Sequence, residues 1–533
     1  MSERALVLFD ADHIKDYVFA TGRLKEIRGA SELVRRLTDA DRLIETFTGY
    51  QLTHWHTDGP ARIIYAAGGA GAILFADPQQ AHDFCRDLEA RYQEQTISAT
   101  LTAVAEPVAD TSLKEEEAAQ RRAARALARR KASKPQIRAL PGGGLLRFGA
   151  TDRLYPAEVQ LRDPDGEQLL LSEESARKRK YNRTYRRELP QRTFWKAFID
   201  VLPAERHSNW DGQPSESQDL GSIGDQARPS GYVAFIHLDG DGVGRALRSV
   251  VQKGGLIDYR HFSQALDKAA QRATAESLGA AYSNHTPRRS KRKTDGWPDI
   301  ELPFELITIG GDDVMLICTA DQGLRVAQMI STRFGELVNH YLVQHDIELQ
   351  QPLSASAGVV IAQSSLPIVQ LQERAYELLK NAKKRRAAEH AGSQGFLDFQ
   401  IVTTPSLDRI SQLRRQGYQG DDDAWFTRRP YRCDQAGTLL NLAAKLAALP
   451  EFSNSKRADL YTACAGNRMQ ATLDVLTVVL RLPADERSAL FDALQQLESM
   501  SYFPFTYERA GGSMQYRTAL LDLLEVMEFI PRR

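Results

Sequence analysis

Cysteine is scarce and scattered. Cys85, Cys318, Cys433 and Cys464 are the only four in 533 residues, and no two form a C-x-x-C pair. That spacing excludes a disulfide scaffold and a zinc ribbon, and it fits a reduced compartment. Long apolar runs are missing too. No stretch of about 18 apolar residues occurs, so no transmembrane helix is expected. The opening MSERALVLFD enters an apolar run without the charged-then-apolar order of a signal peptide. The chain therefore reads as soluble and cytoplasmic, with no membrane association. Net charge is zero, 69 Lys and Arg against 69 Asp and Glu, which removes any global bias toward nucleic acid. With no heptad or Gly-X-Y repeat, coiled-coil and collagen-like classes drop out. What remains is a chain 42% hydrophobic and 26% charged, long enough for about three or four domains.

The zero balance hides dense local charge. RRAARALARRKASK from Arg121, RKRKYNRTYRR from Arg177, RRSKRK from Arg288 and KKRR from Lys383 are each strongly basic. One such run is ordinarily a solvated helix face. Several together, one of them interleaved with tyrosines, point to a polyanion nearby.

Periodicity divides the chain in four. Residues 1–110 read strand, helix, two strands joined by a glycine turn, helix, strand, the β-α-β-β-α-β order of a ferredoxin-like unit. Residues 111–230 form a mixed, basic insert, where PGGGLLRFG from Pro141, DPDG from Asp163 and a long polar tract indicate loops. Residues 231–402 repeat the first order and add a closing helix. Residues 403–533 read as an α-helical domain. The fold class is thus α+β, with two ferredoxin-like copies, a mixed insert and a helical C-terminal domain. The copies match best at two places: VLFDAD at Asp10 with FIHLDGDG at Asp239, and IIYAAGGAGAILF at Gly68 with LITIGGDDVMLIC at Gly310.

Only the second copy carries acids at its hairpin tip, Gly310-Gly311-Asp312-Asp313. Paired glycines permit φ > 0 and let phosphates approach the backbone. Two adjacent carboxylates repel unless a cation lies between them. Hard oxygen ligands beside phosphate suit Mg²⁺ or Mn²⁺. Asp239 ends the first strand of this copy, which in a ferredoxin-like sheet lies beside the hairpin. Asp239, Asp312 and Asp313 are therefore the candidate catalytic and metal-binding set of a two-metal phosphoryl-transfer site. Gly240 follows Asp239, and Lys383, at the end of the closing helix, is placed to neutralise triphosphate. An Asp-rich β-turn is the plain alternative for GGDD taken alone. The first copy, with Gly68-Gly69-Ala70-Gly71, is expected to be non-catalytic, a nucleotide lying in the crevice between the halves.

FDADHIKDYVFATGRLKEIRGASELV resembles the first Palm domain of the large subunit of type III CRISPR effector complexes. HLDGDGVG, ITIGGDDVML and the segment LSASAGVVIAQSSLPIVQLQERAYELLKNAK resemble that family's second, catalytic Palm. The resemblance, over residues 1 to about 400, implies nucleotidyl-cyclase-like Palms that polymerise ATP into cyclic oligoadenylate, an antiviral second messenger. It implies synthesis when a guide-RNA complex of other subunits and crRNA binds target RNA. It places metal at Asp239, Asp312 and Asp313, triphosphate at Gly310, Gly311 and Lys383, and Ser31, Arg28 and Arg23 near the shared nucleotide pocket. Two departures follow. The histidine-aspartate nuclease domain at the start of many members is not seen, the pairs His82-Asp83 and His345-Asp346 lack companion ligands, and nuclease activity is not expected. The cysteine zinc site between the Palms is also missing. Two other functions fit the same residues: a stand-alone cyclic dinucleotide or small-molecule adenylate synthetase, and a structural subunit of an RNA-guided complex with a vestigial polymerase site.

Overall fold

The computed structural model describes residues 4–134, 148–152, 155–162, 168–215, 218–294, 297–389, 392, 394–403, 408–422, 424–450, 452–497, 503–510 and 513–530. The predicted loop of DPDG, and most of that of PGGGLLRFG, lie outside these residues.

Short apolar runs separated by glycine turns build two sheets of one plan. In the first, β1 (Arg4–Ala11), α1 (Leu24–Thr38), β2 (Ala61–Ala67), β3 (Ala70–Phe75), α2 (Pro78–Thr96) and β4 (Leu101–Val108) are followed by α3 (Leu113–Ser133). The antiparallel order β2-β3-β1-β4 is ferredoxin-like. The insert contributes α4 (Glu173–Glu188). The second sheet comprises β5 (Tyr232–Asp241), α5 (Val243–Ala281), β6 (Phe304–Gly310), β7 (Asp313–Thr319), α6 (Ala320–Val343) and β8 (Ser354–Gln363), and α7 (Ile368–Glu389) and β9 (Phe396–Val402) complete it. Its order β6-β7-β5-β8 repeats the first, with β9 added parallel to β8.

The central strands β1 and β5 are apolar along nearly their whole length because helices cover both faces. In the first sheet α1 and α2 cover one face, while Ala119 and Ala123 of α3 cover the other together with Leu256 of α5. In the second, α5 and α6 lie on one face. On the other, α7 shares a single apolar core with α1 and α2 of the first unit. Each unit thus lends its first helix to the other unit's sheet, an approximate two-fold arrangement. Near its centre the hairpin tips meet backbone to backbone: a Cβ on Gly310 would stand 2.9 Å from Cα of Gly68.

The helix α3 packs back on β1 and β4, so the closing helix foreseen for the second copy has a counterpart in the first. The boundary drawn at residue 110 leaves it outside. The insert docks through α4, which crosses α1 where Gly29 has no side chain. A Cβ there would lie 1.6 Å from the Lys178 carbonyl oxygen.

The two ferredoxin-like units and the mainly helical C-terminal region bear out the expected α+β class. Helices Cys433–Ala447, Asn454–Ala463, Arg468–Leu480, Ala484–Leu497 and Leu520–Met527 continue the core of the second sheet. A small sheet of Ala424–Trp425, Thr506–Ala510 and Ser513–Arg517 was not foreseen. Among the described residues no helix is long and apolar enough to cross a membrane.

Candidate functional site

Strand register brings the predicted acids to one place. Asp239 of β5 stands directly opposite Asp313 of β7, and Gly240 N–H donates to the Asp312 carbonyl at 3.1 Å. Gly310 pairs with Asp313, leaving Gly311 (φ 60°) and Asp312 as the turn. Gly240 is required by this approach: its Cβ would lie 2.7 Å from both Cβ and Oδ2 of Asp312. Gly311 N–H points to the Asp267 carboxylate of α5 at 3.4 Å, which ties the tip to that helix.

The three carboxylates differ in their surroundings. The Lys383 ammonium pairs with Asp239 and donates to the Gly240 carbonyl at 2.7 Å. Asp313 accepts at 3.1 Å from Nε2 of His237, the residue two positions before Asp239 on the same face. Lys15 of the first unit reaches the same imidazole nitrogen at 3.3 Å and lies over the Tyr376 ring. Burial pushes the Asp313 carboxyl up, but His237, Lys15 and Lys383 together hold it below the usual range. Among the described residues Asp312 has no such side-chain partner. Burial, then the negative charges of Asp239 and Asp313, push its carboxyl up to about 7. Asp241, one pleat further, is buried and accepts from Ser354 and Ser356 at 2.9 Å, with Arg386 at 3.3 Å.

Among the described residues no three His, Cys, Asp or Glu side chains are gathered closely enough to hold a metal ion. The donor chemistry nonetheless fits a hard divalent cation. Asp312 is crowded by like charge, and Asp239 already attracts the nearest cation, an ammonium. Mg²⁺ takes one or two protein carboxylates and keeps several waters, so Asp239 with Asp312 or Asp313 is a sufficient set.

The first unit shows what the same frame looks like without hairpin acids. Asp10 stands opposite Ala70, as Asp239 stands opposite Asp313. Lys131 of α3 pairs with Asp10 at 2.5 Å, and Lys134 with Asp12 at 3.4 Å. Thr100 and Thr102 donate to Asp12 at 2.9 and 2.8 Å, as Ser354 and Ser356 do to Asp241.

Between the units lies a crevice of about 800 Å³, with α1 on one wall, β6 on another, and Asp313 and Tyr376 at one end. Ser31 lines it, its hydroxyl 3.3 Å from that of Thr308. Arg28 lines it too, fully buried and paired with Glu305 at 2.8 Å. Burial and the neighbouring Arg186 lower the Arg28 guanidinium to about 9. Arg23 sits at the N-terminal end of α1 and does not border the crevice. His237, Lys15, Asp267 and Glu305 were not singled out from the sequence. For His237 a signal existed: its even spacing from Asp239 on a strand puts both on one face. The pairs His82-Asp83 and His345-Asp346 stay outside the site. His82 turns to the Pro78 carbonyl, and His345 stacks on His261 at 4.1 Å.

Residues 232–390 match the family of Cas10/Cmr2 second palm domains. This is a Cas10-type palm. The resemblance of HLDGDGVG, ITIGGDDVML and the segment after them to the family's second Palm is thereby borne out, and the matched span holds Asp239, Asp312, Asp313 and Lys383. No curated protein matches the sequence. Solved structures of Csm1 share the fold. Csm1 of a Csm1–Csm4 cassette in complex with cA3 aligns with a TM-score of 0.57 at 14% identity, over 99% of this chain and 70% of that one. Csm1 of a cassette with pppApA aligns at 0.53 and 14%, over 87% and 61%. Csm1 of the Csm1–Csm4 subcomplex in a type III-A CRISPR-Csm interference complex aligns at 0.52 and 13%, over 87% and 62%. The chain described here spans about 60–70% of the length of these Csm1 chains.

Proposed function

We propose that this chain is a metal-dependent nucleotidyltransferase that joins ATP into cyclic oligoadenylate as the large subunit of a guide-RNA effector complex, its synthesis switched on by target RNA. The observation that carries the proposal is the cross-strand pair Asp239 and Asp313, with Asp312 against Gly240 and Asp313 facing the crevice between two palms. Csm1–Csm4 cassettes whose Csm1 has the same fold are in complex with cA3 and pppApA, which supports adenylate oligomers as the products. Their Csm1–Csm4 pairing supports partner subunits here.

Mg²⁺ or Mn²⁺, when bound, activates an attacking hydroxyl and stabilises the departing pyrophosphate. The protein's own part is positional. Asp239, Asp312 and Asp313 carry the charge that holds the ions. Gly311, tied to Asp267, presents the turn to the phosphates. Lys383 stands where it can pass from the Asp239 carboxylate to a phosphate oxygen, and Lys15 brings a positive charge from the non-catalytic palm. The crevice then brings the acceptor from the first palm side to the acids of the second.

Incubation of the purified protein with labelled ATP and Mg²⁺ or Mn²⁺, with and without co-purified RNA, tests the assignment. Cyclic adenylate is expected, and Asp312→Ala with Asp313→Ala should abolish it. Product unchanged in that double variant, or no product in any condition, sinks the reading. Product that is indifferent to RNA favours a stand-alone synthetase.

A further inference from the structure

The end of the crevice away from Asp313 is built of arginine. Glu32 of α1 takes Arg35 and Arg36 of its own helix and Arg192 at 2.9 Å, and Glu188 of α4 pairs with the same Arg36 and Arg192. Asp39 shares Arg35. One step deeper, Glu305 of β6 is flanked by Arg28 from the first palm and Arg186 from the insert. This cluster holds one guanidinium more than it holds carboxylates.

The surplus is concentrated at Glu305. All three of its members are at least 98% buried by side chain. Two guanidinium groups share one carboxylate, and Nη1 and Nη2 of Arg28 and Nε and Nη1 of Arg186 have no hydrogen-bond partner among the described residues. A buried charged donor without an acceptor is strongly unfavourable. Arg28 borders the crevice, beside the Ser31 and Thr308 hydroxyls. Burial first, and then the positive charge of Arg186, lower the Arg28 guanidinium.

We propose that this end of the crevice is an anion subsite, in which Arg28, with Arg186 behind it on the shared Glu305, takes up a phosphate group of a nucleotide or oligonucleotide whose reacting end lies at Asp239, Asp312 and Asp313. The proposal rests on the nucleotidyltransferase reading for the ligand's identity, but not for the existence of the subsite. Guanidinium forks match phosphate oxygens two by two, and buried forks bind them more strongly than exposed ones. From Glu305 to Gly310 the strand runs about 17 Å at ~3.4 Å per residue, so the two ends of the crevice hold separate groups. The acids attract phosphate only through cations, whereas the arginines need none.

That difference sets the test. In EDTA, tripolyphosphate, ATP and sulfate are titrated calorimetrically into the full chain and into Arg186→Met, which leaves a neutral Arg28–Glu305 pair. Tripolyphosphate and ATP should bind the parent without metal, and Arg186→Met should weaken both at least about tenfold. Glu305→Gln, which frees both arginines, should tighten binding. Sulfate binding as well as tripolyphosphate marks a site for any small anion and overturns the nucleotide assignment. Equal affinities in parent, Arg186→Met and Glu305→Gln overturn the subsite itself. If the variants do not fold, hydrogen exchange on the parent decides. Slower exchange in α1 and α4 on adding tripolyphosphate supports the subsite, and unchanged exchange there overturns it. Anion binding without any adenylate synthesis would instead remove the enzymatic reading and leave the subsite standing.

Discussion

The two palms share a strand order, a buried acid held by two hydroxyls, and a lysine at the end of a closing helix, yet they differ at three positions that face one another. Where the second palm has Asp312, Asp313 and His237, the first has Gly69, Ala70 and Leu8 in register. The shared features therefore belong to the frame. Lys131 pairs with Asp10 in a palm that has no hairpin acids, so the pairing of Lys383 with Asp239 is not in itself a mark of catalysis. Likewise Asp12 and Asp241 with their Thr and Ser donors lock the last strand to the first. The two palms part at these three positions, and the proposed chemistry needs them in addition to Asp239, whose counterpart Asp10 the first palm keeps.

The comparison breaks most readily on activity. Asp239→Asn should lower adenylate synthesis at least about a hundredfold, the scale of losing one group that stabilises developing charge. Its counterpart Asp10→Asn should leave synthesis within about threefold, both read from labelled ATP turnover. Equal losses would show that the first palm reacts as well.

A graft probes the reverse direction. Gly69→Asp with Ala70→Asp copies the hairpin acids into the first palm, but Gly69 has φ 96° and its Cβ would meet Ile14 Cδ1 at 2.5 Å. The double variant should lose about 2 kcal/mol of stability to crowding and backbone strain, seen in denaturant unfolding, and gain no second synthesis. A rise in turnover would mean that the frame alone suffices.

Smaller still, His237→Leu makes the second palm resemble the first beneath the acids. Synthesis should fall about tenfold, with circular dichroism unchanged, since Leu8 occupies the matching place. Last, Thr102→Ala and Ser356→Ala remove equivalent hydroxyls and should each destabilise by about 1 kcal/mol. A much larger effect in one palm would show that the shared frame is used unequally.

Features encoded by neighbours in sequence were legible beforehand. The strand alternation, the glycine turns and the order β-α-β-β-α-β are local, and the Asp239–Asp313 pairing follows from that topology alone. Features made by distant residues were not. Helix α3 reads as a basic run until its Lys131 is seen on Asp10, 121 positions earlier. Gly29 lies in the recognised stretch GRLKEIRGASELV, but the reason for a glycine there is the carbonyl of Lys178, on another segment. Arg28, Arg186 and Glu305 come from three regions, and no spacing rule links them. Gly310 was expected to admit phosphate, and its close approach to Gly68 shows a second demand on the same missing side chain.

Helix α3 bears on how this protein can be cut into pieces. Near its start Glu116 accepts from Leu256 N–H at 2.9 Å, just after the break in α5 at Gly255, and near its end Lys131 holds Asp10. A fragment ending at residue 110 would expose the Leu6, Leu8 and Leu74 face of the first sheet to water and leave Asp10 and Asp12 without their lysines. One ending at 134 keeps that face covered by Ala119 and Ala123. Expression of the first palm by itself should therefore yield soluble protein from the longer piece and aggregate from the shorter.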